Sequence, residues 1–296
     1  MNSGTAPQLQ HYPLLRRGKV RDIYDAGEAL LLVASDRLSA FDVVLPTTIP
    51  GKGRTLTSIS EYWFEETRSL CPNHLVTTDI SGLQLSPSEA DALRGRCTVG
   101  RKADRIDIEC VVRGYLAGSG YKEYRDYGTL AGESLPGGLR RGDALPDPRF
   151  TPAIKNDEGH DENISRDRLA QLIGSDLAAR LEETSMAVFH LASVRAAKAG
   201  LVLADTKLEF GWIGNEIAII DELLTPDSSR YWDASAIAPG EEPPSFDKQI
   251  VRNWLESQPW DKNPPGPEIP GEVVMVTRER YEEVYRRLRD IKEEEE

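Results

Sequence analysis

The sequence predicts an α+β fold in two lobes, and three observations carry that reading. Residues 18–50 are written almost wholly as short extended runs. A long helical run ending near residue 199 passes directly into a hairpin pattern. The length of 296 residues allows one large domain or two intimately packed ones. Strands dominate early, and helices and strands mix later.

Taken in order, Val20–Tyr24 and Ala29–Ala34 are extended runs flanking a turn at Asp25-Ala-Gly27. Leu30–Ala34 is short and continuously apolar, which fits a strand covered on both faces. Gly51-Lys-Gly53 breaks the pattern. A helix is expected from Thr55 to Leu70, with Ile59, Trp63, Phe64 and Thr67 on one face and Pro72 as its stop. Val99–Arg113 reads as one extended segment. The Gly- and Pro-rich stretch 128–150 reads as a long ordered loop. Ser165 and Ser175 are expected to cap a short and a long helix, the long one running from Asp176 to Ala199 and stopping at Gly200. Leu201–Trp212 and Glu216–Asp221 form a hairpin around Gly214-Asn215. Segments 239–244 and 264–270 are Pro-rich and extended. A last amphipathic helix carries Tyr281, Val284, Tyr285, Leu288 and Ile291.

With 36 Lys and Arg against 49 Asp and Glu, the formal net charge is −13. That balance argues against a nucleic-acid partner, which would call for a basic excess. No apolar run approaches the ~18–20 residues needed to span a membrane, and no secretory signal is visible at the N-terminus. Three cysteines, Cys71, Cys97 and Cys110, lack the spacing of a zinc clip and read as core thiols of a reduced cytoplasmic protein.

Four clusters carry chemistry. In Leu203–Gly211, strand alternation turns Asp205, Lys207 and Glu209 to one face and Thr206, Leu208 and Phe210 to the other. Such a row of charges fits either a solvated sheet face or a polar floor for a charged ligand and a hard metal ion. Asp221 ends the partner strand. A plain two-residue loop would set it opposite Leu208, whereas one extra loop residue would bring it beside Glu209, where the two could share Mg²⁺. Gly18-Lys-Val-Arg21 places Lys19 and Arg21 on one strand face beside a glycine. That suits phosphates, although no standard phosphate-loop pattern is present. Arg113, leaving an apolar strand ahead of Gly118-Ser119, and Arg230 in Ser228-Ser-Arg230 suit a phosphate monoester, or are ordinary surface arginines.

Together, ECVVRGYLAGS, ADTKLEFG and IDELLTPDSSRYW resemble the SAICAR synthetase family, with GKVRDIY, ASDRLSAFD and IKNDEGHD in the family's order. The resemblance runs from about Gly18 to Trp232. Asp107 departs from it, standing where the family usually has proline. The resemblance implies an ATP-dependent ligase of purine synthesis that joins carboxyaminoimidazole ribonucleotide (CAIR) to L-aspartate, with ATP and Mg²⁺. It further implies that Gly18, Lys19, Val20 and Arg21 hold ATP phosphates, and that adenine lies against Lys102, Ala103 and Asp104. Glu209 and Asp221 would bind Mg²⁺. Lys207 would meet the reacting groups, with Asp205 beside it in the catalytic set. Arg113, Ser119 and Arg230 would grip the ribonucleotide 5′-phosphate, and Ser39 and Asp42 would line its imidazole. Lys155, Asp157 and His160 would serve the aspartate pocket. The family fold implies residues 1–103 as an ATP-binding lobe like the small lobe of protein kinases. Residues 104–296 would form an ATP-grasp-like lobe with the CAIR and Mg²⁺ sites. A small-molecule kinase with the same ATP lobe is the alternative. A monomer or homodimer is expected.

Overall fold

The computed structural model describes residues 7–155, 162–238 and 240–291, and the apolar run at Leu30–Ala34 lies at the centre of its first sheet. That part of the chain comprises β1 (Leu14–Arg17), β2 (Arg21–Ala26), β3 (Ala29–Ala34), the two-residue β4 (Ser39–Ala40) and β5 (Val43–Val44), α1 (Lys52–Glu66), β6 (Leu75–Thr77), α2 (Pro87–Leu93) and β7 (Cys97–Arg101). The sheet order is β1-β2-β3-β7-β6, antiparallel throughout. Leu31 and Val33 pack with Tyr24, Cys97 and Val99 on one side of it.

The second part comprises β8 (Asp104–Tyr115), α3 (Gly118–Tyr127), β9 (Thr129–Leu130), β10 (Glu133–Ser134), β11 (Ala144–Phe150), β12 (Ala153–Ile154), β13 (Glu162–Asn163), α4 (Arg166–Ile173), α5 (Ser175–Lys198), β14 (Leu201–Ile213), β15 (Glu216–Ile220), β16 (Ser229–Asp233), α6 (Gln249–Glu256) and α7 (Gly271–Arg289). Its larger sheet runs β13-β12-β8-β14-β15, with β11 paired to β8 and β16 to β14. The result is two lobes of antiparallel sheet and helix, as the sequence predicts.

Four local expectations are corrected. The extended run 99–113 is two strands in different sheets, divided at Lys102-Ala103. The glycine-rich stretch 128–150 is not one loop: it forms the β9–β10 hairpin and then β11, which pairs with β8. Ser165 caps α4, accepting from the Arg168 amide, but Ser175 is the first residue of α5 and Gly174 holds the cap position. Helix α1 begins three residues before Thr55, with Lys52 and Gly53 inside it. Gly51 provides the left-handed turn into the helix at φ 83°. The Asp36 carboxylate, distant in sequence, accepts from the Gly51 and Gly53 amides at 3.2 and 2.9 Å. A carboxylate at a helix N-terminus satisfies orphan amides and complements the helix dipole.

Helix α1 is the seam between the lobes. Its Ile59, Trp63 and Phe64 join Val188 and Phe189 of α5 and Leu208 and Phe210 of β14 in the largest core. The C-terminal chain returns to the first part, where Val251, Leu255 and Ile269 pack on Leu38, Leu45 and Ile49. All three cysteines are free and buried, and burial pushes the Cys97 and Cys110 thiols up to about 12. Among the described residues, no helix is long and apolar enough to cross a membrane.

Candidate active site

Strands β8 and β14 form the floor of the site. Their register sets Arg113 opposite Asp205, Val111 opposite Lys207 and Glu109 opposite Glu209. Thr206, Leu208 and Phe210 are fully buried beneath, while Asp205, Lys207 and Glu209 lie half-buried on the opposite face. The two-residue period of a strand makes this division.

At one end of the floor, Asp205 Oδ2 accepts from Arg230 at 2.7 Å and from Arg113 at 3.4 Å. Arg113 also donates to Ser119 Oγ at 3.2 Å and to Thr151 Oγ1 at 3.1 Å. Ser119 is the second residue of α3, following Gly118, whose φ is 52°. A Cβ at Gly118 would lie 2.8 Å from an Arg230 guanidinium nitrogen, so only glycine lets that arginine sit against the backbone. Two buried guanidiniums, a hydroxyl and a helix start converge here, which suits a phosphate monoester.

In the middle, two glutamates and two lysines alternate. Lys207 Nζ lies 2.5 Å from Glu109, and Lys155 pairs with Glu209 and lies 3.9 Å from Glu109. Like charges directly opposite one another on a sheet repel, and the lysines offset this. Burial raises the Glu209 pKa, but Lys155, Lys207 and Arg21 together hold it below the ordinary carboxylate value.

At the other end, Arg21 pairs with Asp221 and lies 3.3 Å from Glu222. The loop before Arg21 is braced from behind. Arg37 donates to the Gly18 and Lys19 carbonyls, both at 3.1 Å, and is ion-paired to buried Asp22 at 2.8 Å. Ser35 bonds the Val20 carbonyl through its amide and hydroxyl.

Of the two turns considered, the β14–β15 connection is the plain one, without the extra residue that would bring Asp221 beside Glu209. Ile213 pairs with Glu216 and Glu209 with Ile220, the register of a plain two-residue loop. The chain re-aims Asp221 in another way. Strand β15 ends at Ile220, and Asp221 takes a left-handed φ of 69°, a conformation that asparagine and aspartate tolerate better than most residues. His74 steadies this bend, its Nε2 donating to the Asp221 carbonyl at 3.1 Å. A Cβ at Gly100 would lie 2.6 Å from the other ring nitrogen.

Burial, with Arg21 and Arg101 nearby, lowers the His74 pKa to about 3. The unfolded chain protonates a histidine near pH ~6.5. Between these values the unfolded state binds the extra proton. Stability is therefore full above the unfolded value and is lost as pH falls toward the folded one. We expect His74→Gln to flatten the acid side of the stability profile by up to about 1.4 kcal/mol per pH unit below ~6.5. Urea titrations at several pH values measure this, and an unchanged slope would count against it.

Other sequence-predicted residues lie around this floor. Lys19 pairs with Asp42 at 2.5 Å on the exposed side of the loop, and Ser39 lies in β4 nearby. Lys102 pairs with Asp25 at 2.8 Å, and Ala103 and Asp104 pack against Gly211 where the sheets meet. Asp157 and His160 lie outside the described residues. Sequence reasoning missed Glu109, Thr151, Arg37 and Glu222. Glu109 was within reach of it, since 109 and 113 share a strand face. Thr151 and Arg37 arrive through tertiary contacts that no local pattern signals.

Among the described residues, no three His, Cys, Asp or Glu side chains gather as a metal group. Arg21 pairs with Asp221 and acts electrostatically on Glu209 as well, so both carboxylates lie near one cation, and oxygen donors of this kind are what Mg²⁺ takes, one or two at a time, beside nucleotide phosphates and water.

Residues 14–267 match the model of the SAICAR synthetase family. A phosphoribosylaminoimidazole-succinocarboxamide synthase from Leptospira interrogans is 50% identical over 268 residues, covering 90% of this chain and 94% of that protein. The SAICAR synthase of Saccharomyces cerevisiae, solved with SAICAR, superposes with a TM-score of 0.87 at 38% identity, covering 99% of this chain and all of that one. A SAICAR synthetase solved with ADP superposes with a TM-score of 0.68 at 27% identity, covering 92% and 96%. With its family match spanning most of the chain, and its polar floor built from the residues that first suggested the resemblance, the chain belongs to the SAICAR synthetase family.

Proposed function

We propose that this enzyme joins CAIR to L-aspartate at the expense of ATP, giving SAICAR, ADP and phosphate in de novo purine synthesis. One observation carries the proposal. One face of the larger sheet holds a two-arginine phosphate grip at one end and an alternating Glu/Lys set in the middle, and Arg21, from β2 of the first sheet, pairs there with Asp221, just past β15. The relatives solved with SAICAR and with ADP support the two ligand classes.

Arg113, Ser119 and Arg230 take the 5′-phosphate, and Asp205 keeps both guanidiniums in orientation. Lys207 lies two residues along the same face, about 7 Å on, where the imidazole carboxylate would reach it. Ser39 and Asp42 line the imidazole. Lys19 and Arg21 hold the nucleotide phosphates, with Gly18 and Val20 in the same loop, and adenine lies at Lys102–Asp104. The nucleotide site would thus sit between residues 1–103 and 104–296. Mg²⁺ on Glu209 and Asp221 would neutralise phosphate charge. Lys155, with Asp157 and His160, serves the aspartate carboxylates.

Carboxylates acylate amines poorly because hydroxide leaves poorly. The CAIR carboxylate oxygen attacks the γ-phosphorus, the bond to the β-phosphate oxygen breaks, and ADP departs. The aspartate amine then attacks the acyl carbon, inorganic phosphate leaves, and the amine gives up its proton. Positioning and charge neutralisation by Lys207, Arg21 and Lys19 are what such a transfer needs from a protein. Three buried free thiols suit a reducing cytoplasmic setting.

Steady-state ADP release should require both CAIR and L-aspartate, with Mg²⁺ present. Equal turnover without aspartate, with a stable phosphorylated product, would replace this reading by a small-molecule kinase.

A further inference from the structure

Residues 221–230 connect the two ends of the floor, and their middle is held by buried charges. Asp227 is 2% exposed at its side chain. Its Oδ2 lies 2.8 Å from Nζ of Lys52, the first residue of α1, and 3.2 Å from Nζ of Lys248, which precedes α6. Its Oδ1 accepts from the Tyr281 hydroxyl of α7 at 2.8 Å. Burial would raise the Asp227 pKa, but Lys248 and Lys52 drive it far below the ordinary value, so it stays ionised. Three helices from distant parts of the chain thus converge on one carboxylate.

From Asp227 the bonding runs both ways. Toward the nucleotide end, the Asp227 amide donates to Thr225 Oγ1 at 3.2 Å. That hydroxyl donates to Glu222 Oε2 at 2.6 Å, and the same oxygen faces Arg21. Toward the ribonucleotide end, the Ser228 carbonyl accepts from the Lys207 amide at 2.9 Å. Ser229 Oγ bonds Thr206 Oγ1 at 2.8 Å, and Arg230 follows directly. Isolated charges are costly to bury, and a well-packed apolar cluster would stabilise the fold about as well. The arrangement's distinctive property is that one side chain fixes the segment carrying both Glu222 and Arg230.

We propose that Asp227, clamped by Lys52, Lys248 and Tyr281 and linked through Thr225, is a positioning residue that couples nucleotide binding to ribonucleotide binding. The proposal rests on the ligand assignments above. Because the clamp makes the segment one piece, a shift that one ligand imposes at Glu222 is carried to Arg230, so each ligand tightens the second.

Calorimetric titration of the full chain tests it, with ADP·Mg²⁺ and aminoimidazole carboxamide ribonucleotide, an unreactive stand-in for CAIR. Each ligand is titrated alone and against saturating amounts of the other. In the wild type each should tighten the other by about fivefold or more, and by the same factor in both directions. In Thr225→Val and Tyr281→Phe the factor should fall toward one, with single-ligand affinities within about twofold of wild type. Thr225→Ser, which keeps the hydroxyl, should restore it. A purely structural network would lower the melting temperature and leave the factor unchanged in both variants; that result, or a factor of one in the wild type, overturns the proposal. Failure of the wild type to bind either ligand would instead overturn the ligand assignments.

Discussion

Glu209→Gln is expected to cut turnover by roughly 10²–10³-fold and leave a folded protein, the scale seen when one preorganised electrostatic group is removed from a reacting centre. The replacement keeps the shape of the side chain and removes its charge. Leu208 and Phe210 on either side remain in the core, so the strand has no reason to move. Three things change at the floor. The Mg²⁺ candidate loses one of two carboxylates, Lys155 loses its ion-pair partner, and Glu109 alone balances two lysines. The metal dependence of nucleotide binding should therefore weaken along with kcat. Circular dichroism and saturating-substrate kinetics over a Mg²⁺ series measure both. Turnover within about threefold of wild type would remove Glu209 from the reacting centre, since the electrostatic role requires far more.

The second large effect is expected at the opposite end. Arg230→Ala should raise the KM for CAIR by roughly ten- to a hundredfold, because a hydrogen bond to a charged group contributes about 1.5–3 kcal/mol. Arg113→Ala should do the same, while ATP affinity stays near wild type. Arg230→Lys should recover only part of the loss, since an ammonium cannot reproduce a planar fork resting against Gly118. Separate ATP and CAIR saturation curves for each variant check this. A loss confined to ATP would reverse the assignment of the two ends.

The sequence made the floor legible because its signal is local. Alternation along Leu203–Gly211 separates Leu208 and Phe210 from Lys207 and Glu209 without knowledge of any neighbour. The α5 helix and the hairpin after it were legible for the same reason. What escaped depended on residues far apart in the chain. The start of α1 is set by Asp36, fifteen residues before Gly51, so no pattern around Gly51-Lys-Gly53 reveals it. The β14–β15 turn holds no extra residue to place Asp221. Its place arises instead from a left-handed bend after Ile220, held by His74, the residue just before β6. The arginines of the grip were named from their motifs, whereas the carboxylate between them took on its bridging place only when β16 and β8 flanked β14.

The bracing of the loop before Arg21 has an entropic consequence. Its three carbonyls, at Gly18, Lys19 and Val20, are all engaged by Arg37 or Ser35. Fixing the backbone of one residue costs about 1–2 kcal/mol, so ordering a three-residue loop costs roughly 3–6 kcal/mol. Here that cost falls on folding rather than on ligand capture. A nucleotide bound here, as proposed, would meet a rigid surface, and more of its contact energy would survive as affinity.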